Sequence, residues 1–377
     1  MKVLLTSVSA GSGHVRAAEA IQAAIWRSRP GVKAVHIDVM NFVSHGFQRM
    51  YAGGYSFAVN RTPSLWGQIY SFWDRTPSEG GATEWLRRVQ RHCATPFFRY
   101  LSCVQPDLIL TTHFLIPQLL RQDHPYPWLR RIPLECVVTD YDVHRFWVSD
   151  NIARYYVAHE ELAGRLVAQG VSSSRITVSG IPVHPVFLVP VSEALLRQKL
   201  GLDPVKPVLL VLAGGLGMPM LEKSVQELFR LGRPVQIVTV AGKNDALRER
   251  LNRLTPPPHI RLVNQGYVRN MHELLSISDL VITKPGGLTT SEALALGKPL
   301  FILNPIPGQE AANSDFLLER GAATKVNRVE DLPFRIEKLL GSKKLAEMAK
   351  AAKSRGRPQA ATAVCQEVLK RFQQPVK

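Results

Sequence analysis

The stretch Thr283-Lys284-Pro285-Gly286-Gly287-Leu288-Thr289-Thr290-Ser291-Glu292-Ala293-Leu294 has the order of parts that phosphate chemistry requires. An apolar run ends, Gly286 and Gly287 turn the chain, and a helical segment opens with free backbone N–H groups. Such an end holds a diphosphate through hydrogen bonds and through the helix dipole. Glu292 follows one turn inside, where a carboxylate can accept both hydroxyls of a ribose. Its simpler role is to complement the dipole, worth about 0.3–1 kcal/mol. One β-unit later, Leu303-Asn304-Pro305-Ile306-Pro307-Gly308 leads into Gln309, Glu310 and Asn313. Gln309 and Asn313 share a helix face. Amides and a carboxylate together suit the adjacent hydroxyls of a hexose, which both donate and accept. Helix capping is the simpler account.

The N-terminal half carries looser signals. The first apolar run ends in Gly11-Ser12-Gly13-His14 and a helix, a turn that lets backbone amides approach an anion. A dinucleotide fingerprint is excluded, because Arg16 stands at the third glycine position and no clear ribose-binding acid follows. A plain strand–helix turn fits as well. A similar turn, Gly214-Gly215-Leu216-Gly217, follows the first strand of the second half. Thr139-Asp140-Tyr141-Asp142-Val143-His144 has the Asp-x-Asp spacing that elsewhere binds Mg²⁺ or Mn²⁺ at a nucleotide diphosphate. It lies in the half opposite the diphosphate signature, so no metal is expected here and none of these residues is assigned as a ligand.

These residues need a scaffold to position them. Apolar runs at Val3–Ser9, Ala34–Val39, Asp107–Thr111, Leu134–Thr139, Ala153–Val157 and Ile176–Val178 alternate with helical patterns such as Val15–Arg27. The prolines between Pro182 and Pro190 read as a linker. The alternation restarts at Val208–Leu212, Val235–Val240, Ile260–Val263, Leu280–Thr283 and Leu300–Leu303, and Leu345–Phe372 reads as a basic helix. Such strands predict α/β architecture with parallel sheets covered on both faces, and ligands at the carboxyl ends of the strands. The expected domains are 1–186 and 187–355, each Rossmann-like and doubly wound, facing across a cleft. Residues 356–377 form a C-terminal helix that could pack back on the first domain.

Length and charge bound the rest. The 377 residues suit two domains, and the formal charge of +17 calls for an anionic partner. No zinc finger, aromatic RNA-binding signature or basic heptad region is present, so nucleic acid is not expected. The four cysteines lack CxxC spacing and read as reduced, buried residues. The apolar start is too short for a signal peptide, and no run reaches the roughly 20 residues of a membrane span. A cytoplasmic location is expected.

Taken together, Thr283–Leu294 and Gly308–Asn313 resemble the donor signature of the inverting glycosyltransferases that include the monogalactosyldiacylglycerol synthases and the processive diacylglycerol glucosyltransferases. More distantly they are similar to the peptidoglycan N-acetylglucosaminyltransferase, a family 28-like group with the GT-B fold. Gly11–His14 resembles the family's N-terminal glycine loop, Gly180-Ile181-Pro182-Val183 its interdomain segment, and Gly266-Tyr267-Val268 with Asn270-Met271 its uracil-contacting loop. The resemblance implies a UDP-sugar donor and no cofactor. Val268 would contact uracil through its backbone, Gly214, Gly215, Gly287, Leu288 and Thr289 would line the diphosphate, Glu292 would hold the ribose, and Gln309, Glu310 and Asn313 would read the sugar.

An inverting transfer needs a base for the acceptor hydroxyl. His14 is the candidate, its pKa suited to neutral pH, although it could instead only orient acceptor or phosphate. Related plant galactosyltransferases carry an Asp shortly before the glycine loop, where this chain has Ser9. Gly13, Asp142 and His144 fall on the acceptor side. Aromatics from Phe42 to Trp73, and Trp85–Tyr100 with Arg87, Arg88, Arg91 and Arg99, suit an interfacial segment on anionic lipid, or else an aromatic core pair with a solvated basic face. The expected activity is hexose transfer, galactose or glucose, to diacylglycerol or a glycosyldiacylglycerol by a peripheral protein of the inner membrane face. The alternatives are UDP-N-acetylglucosamine or another UDP-sugar used on a polyprenyl-linked or small-molecule acceptor, and a catalytically silent nucleotide-binding or nucleic-acid-binding protein.

Overall fold

The computed structural model describes residues 1–9, 11–53, 88–121, 124–213, 220–303 and 305–371. The chain divides into two units, Met1–Pro185 with Gln359–Lys377, and Val186–Pro358.

The first unit holds β1 (Lys2–Ser7), β2 (Lys33–Asp38), β3 (Leu108–Thr111), β4 (Leu134–Val137), β5 (Ile152–Val157) and β6 (Ile176–Val178). They form one parallel sheet in the order β2-β1-β3-β4-β5-β6. β3 and β4 are buried throughout, as continuous apolar runs in a covered parallel sheet must be, whereas the edge strands β2 and β6 are partly exposed. The strand order reverses between β1 and β3, and a crevice opens at the carboxyl ends of strands that diverge in this way.

The helix Ser12–Ser28 buries Ala17, Ala18, Ala20, Ile21, Ala24 and Ile25 on this sheet. The helix Ala360–Arg371 joins the same core through Ala361, Val364, Cys365 and Val368. At its end Arg371 pairs with Glu135, a fully buried carboxylate on β4 that also accepts the Tyr156 hydroxyl at 2.7 Å. Burial, then the charge of Glu135, pushes the Tyr156 hydroxyl well up, so it keeps the proton it donates.

The second unit holds β7 (Val208–Leu212), β8 (Val235–Val240), β9 (Ile260–Gln265), β10 (Leu280–Thr283), β11 (Leu300–Leu303) and β12 (Ala323–Val326). The order is β12-β11-β10-β7-β8-β9, all parallel, with the reversal between β7 and β10. Asp279 fixes these two strands at their amino ends. Its N–H donates to the Val208 carbonyl at 2.9 Å, and its carboxylate accepts the Val208 N–H at 2.7 Å.

Sequence patterning did not find β12, an edge strand of four residues whose buried ends, Ala323 and Val326, flank the half-buried polar pair Thr324 and Lys325. The expected single helix over Leu345–Phe372 is two helices, Lys343–Arg355 and Ala360–Arg371. Pro358 disfavours helical backbone at Arg357. Gly356 lies so close to the end of the helix Gly287–Ala295 that an added Cβ would fall 2.2 Å from the Leu294 carbonyl oxygen. No helix among the described residues is long and apolar enough to cross a membrane.

Candidate functional site

In the second unit the chain leaves β10, at the reversal point, through Lys284, Pro285 and Gly286. Gly286 caps the helix Gly287–Ala295 in extended backbone and, as a glycine, offers no side-chain cap. The first helical bond runs from the Thr290 N–H to the Gly286 carbonyl at 2.9 Å. The amides of Gly287, Leu288 and Thr289 therefore have no helical acceptor and carry the positive end of the dipole. Leu288 and Glu292 are buried, and Thr289 is half-buried. The Thr290 hydroxyl is buried with no hydrogen-bond partner among the described residues.

The helix Gln309–Glu319 begins after Gly308, whose φ of 92° is a left-handed conformation suited to glycine. Glu310 turns back to accept the Ile306 N–H at 2.8 Å. Burial raises its carboxyl above the ordinary range, against that hydrogen bond and the charge of Lys284. Asn313 is buried, and its amide donates to the Pro285 carbonyl at 3.0 Å. One hydrogen bond thus ties the second helix to the turn that opens the first. Val268 is half-buried in the loop after β9, next to an exposed Tyr267 with the Lys243 ammonium 5.6 Å from its ring centroid. Gly214 and Gly215 lie outside the described residues.

In the first unit, Gly13 and His14 open the helix that follows β1. His14 Nδ1 lies 2.7 Å from the Thr112 carbonyl oxygen and 2.8 Å from Thr139 Oγ1. The Thr112 hydroxyl donates to the His14 carbonyl at 2.8 Å, and the Thr112 N–H donates to the Thr6 carbonyl at 3.0 Å. Around His14 stand His113, edge-on at 4.5 Å between ring centroids, and Trp147 at 6.4 Å. Phe114 sits between His113, His144 and Trp147.

Burial in this aromatic setting lowers the His14 pKa to about 4, opposed by the Thr112 carbonyl, and lowers His144 to about 3 with a smaller contribution from His14. His113 is also held well below its ordinary value, first by burial and then by its two imidazole neighbours. These imidazoles are neutral at pH 7, so the expectation of a His14 pKa near neutrality is not met. The unfolded chain takes up protons below about pH 6.5 while the folded unit does not. Stability is therefore full above that value and lost as pH falls toward 4. The urea midpoint is expected to drop steadily between about pH 6.5 and 5. His113→Asn keeps an acceptor for the Leu115 N–H, which His113 Nδ1 now accepts at 3.0 Å, and should flatten that drop. An unchanged slope would remove His113 from the explanation.

His144 is buried in this cluster, whereas the Asp142 carboxylate accepts the Val143 N–H and pairs with Arg165. The structure thus separates two residues that the sequence grouped together. Phe47, Phe97 and Phe98 are buried and belong to the core. Gly54 to Trp73, Trp85 and Arg87 lie outside the described residues. Among the described residues no group of three or more His, Cys, Asp or Glu side chains is placed to hold a metal ion.

Residues 14–183 match the monogalactosyldiacylglycerol (MGDG) synthase family model, and residues 196–356 match that of the group 1 glycosyl transferases. Over 267 residues the chain is 36% identical to the processive diacylglycerol beta-glucosyltransferase of Bacillus subtilis (strain 168), covering 71% of this chain and 69% of that one. The chain belongs to the MGDG synthase and processive diacylglycerol glucosyltransferase family. The Bacillus pumilus member is 39% identical over 250 residues, covering 66% of this chain and 64% of its own length, just under two thirds. Among solved structures, MurG of Acinetobacter baumannii shares the fold with a TM-score of 0.64 at 17% identity, covering 98% of this chain and 99% of that one. The fold is GT-B.

Within this family member the sequence reading missed Thr112, His113 and Trp147 and gave Thr139 no role of its own. A usable signal existed. Thr112 and His113 follow β3 directly, and β3 flanks the reversal point on the side opposite β1. Residues just past the carboxyl ends of two diverging strands are the first candidates for a ligand crevice.

Proposed function

We propose that this chain transfers a hexose from a UDP-sugar to the hydroxyl of diacylglycerol or a glycosyldiacylglycerol, with inversion. The observation that carries the donor half is the pair of helix starts at Gly287 and Gln309, joined by the Asn313–Pro285 hydrogen bond at the reversal point of the second sheet. The uncapped amides of Gly287, Leu288 and Thr289 receive the diphosphate, and Glu292 takes the ribose hydroxyls. Gln309, Glu310 and Asn313 face the sugar, and the Val268 backbone meets the uracil. The helix dipole supplies countercharge to the leaving diphosphate, so no metal is invoked.

In the reaction the acceptor oxygen bonds to the anomeric carbon as the bond to the diphosphate breaks. UDP departs with the electron pair, and His14 takes the acceptor proton on Nε2. A pKa of about 4 in the free protein keeps His14 unprotonated at pH 7, with its lone pair free of a proton. Family membership supports the lipid acceptor, and the names of the relatives favour glucose over galactose. The charge of +17 supports peripheral association with an anionic membrane face.

The test supplies radiolabelled UDP-glucose or UDP-galactose with diacylglycerol in anionic vesicles, and in parallel with polyprenyl-linked and soluble acceptors. Label is expected in an extracted glycosyldiacylglycerol of β configuration. Label only in the other acceptors, or an α product, would overturn the reading.

A further inference from the structure

His14 receives its hydrogen bonds in an arrangement that determines which ring nitrogen can act. A carbonyl oxygen only accepts, so the 2.7 Å contact with the Thr112 carbonyl assigns the proton to Nδ1. That proton is shared with Thr139 Oγ1 at 2.8 Å, a three-centre bond in which the threonine oxygen accepts. The ring is then neutral with its lone pair on Nε2. Three strand ends converge on it: β1 leads into the His14 helix, Thr112 follows β3, and Thr139 follows β4. Thr112 also holds the backbone of the same residue through its hydroxyl, at 2.8 Å from the His14 carbonyl.

We propose that Thr112 and Thr139 are positioning residues that hold His14 as the Nδ1–H tautomer and aim Nε2 at the acceptor proton. Two neutral oxygens thereby do the orienting that a carboxylate does in a serine-hydrolase triad. Thr139 acts through its side chain alone, and its loss leaves the Thr112 carbonyl as the remaining acceptor and the ring less firmly oriented. Thr112 acts mainly through its backbone. The proposal rests on the reading of His14 as the base.

The first readout needs no turnover. In full-length protein labelled with ¹⁵N-histidine, the His14 signals, assigned by their loss in His14→Asn, should show a protonated Nδ1 and an unprotonated Nε2 at pH 7. A protonated Nε2 overturns the proposal. The second readout uses Thr139→Val and Thr139→Ser. Valine is expected to lower kcat about tenfold with KM for the UDP-sugar held within about twofold, and serine to restore most of the rate. A merely structural role would move both constants, or would leave serine as impaired as valine, and either result overturns the proposal, as does full kcat in Thr139→Val. Retained turnover in His14→Asn would count against the base itself and is read separately from the tautomer.

Discussion

Replacing His14 with asparagine is expected to lower kcat by about 10²–10⁴-fold while UDP affinity stays nearly constant. The asparagine amide can still donate toward the Thr112 carbonyl and Thr139, where Nδ1 now sits, so the junction of the β1, β3 and β4 ends survives. What disappears is the lone pair on Nε2. Because the donor site is assigned to other residues in the second unit, a true base substitution must separate rate from donor binding. Steady-state kinetics with calorimetric titration of UDP makes the comparison. Equal losses in kcat and UDP affinity would point to a collapsed fold. Wild-type kcat would end the case for His14 as base.

Glu292→Gln is expected to raise KM for the UDP-sugar about 10–100-fold, the scale of losing hydrogen bonds to a charged acceptor, with a smaller change in kcat. Glu292 is buried on the helix whose amino end is assigned to the diphosphate, and glutamine conserves its volume while removing the charge and turning one acceptor oxygen into a donor. A sharper form uses a UDP-sugar lacking one ribose hydroxyl. The wild type should discriminate strongly against it and Glu292→Gln should discriminate weakly, since substitution and analogue remove the same interaction. Undiminished discrimination in the variant would show that the ribose is held elsewhere.

The second unit was the more legible of the two. Its strands Val208–Leu212, Val235–Val240, Leu280–Thr283 and Leu300–Leu303 appear at the boundaries expected from their composition, because short apolar runs between turn residues admit few other arrangements. Only the edge strand Ala323–Val326 escaped, since its two middle positions, Thr324 and Lys325, are polar and half-buried and break the continuous apolar signature. Both helix starts were legible because glycine turns after buried strands are local features. The hydrogen bond that joins them, Asn313 to Pro285, spans 28 residues and has no local signature.

The same distinction governs the first unit. His14 was identifiable from the glycine loop beside it, but its partners lie 98 and 125 residues away and are ordinary threonines. Its lowered pKa was equally hidden. It depends on burial beside His113 and Trp147, which only the strand order β2-β1-β3-β4 brings together. Asp142, expected on the acceptor side from its spacing to His144, has a partner that the spacing did not indicate, Arg165.

Hydrogen-exchange mass spectrometry of the full chain with and without UDP tests most directly whether the donor seats on the second sheet's reversal point. The account predicts slowed exchange at the amides of Gly287, Leu288 and Thr289 and in the loop from Gly266 to Asn270, and weaker protection at the start of the Gln309 helix unless the sugar is attached. Protection elsewhere that leaves the Gly287 helix start exchanging at its free rate would contradict it.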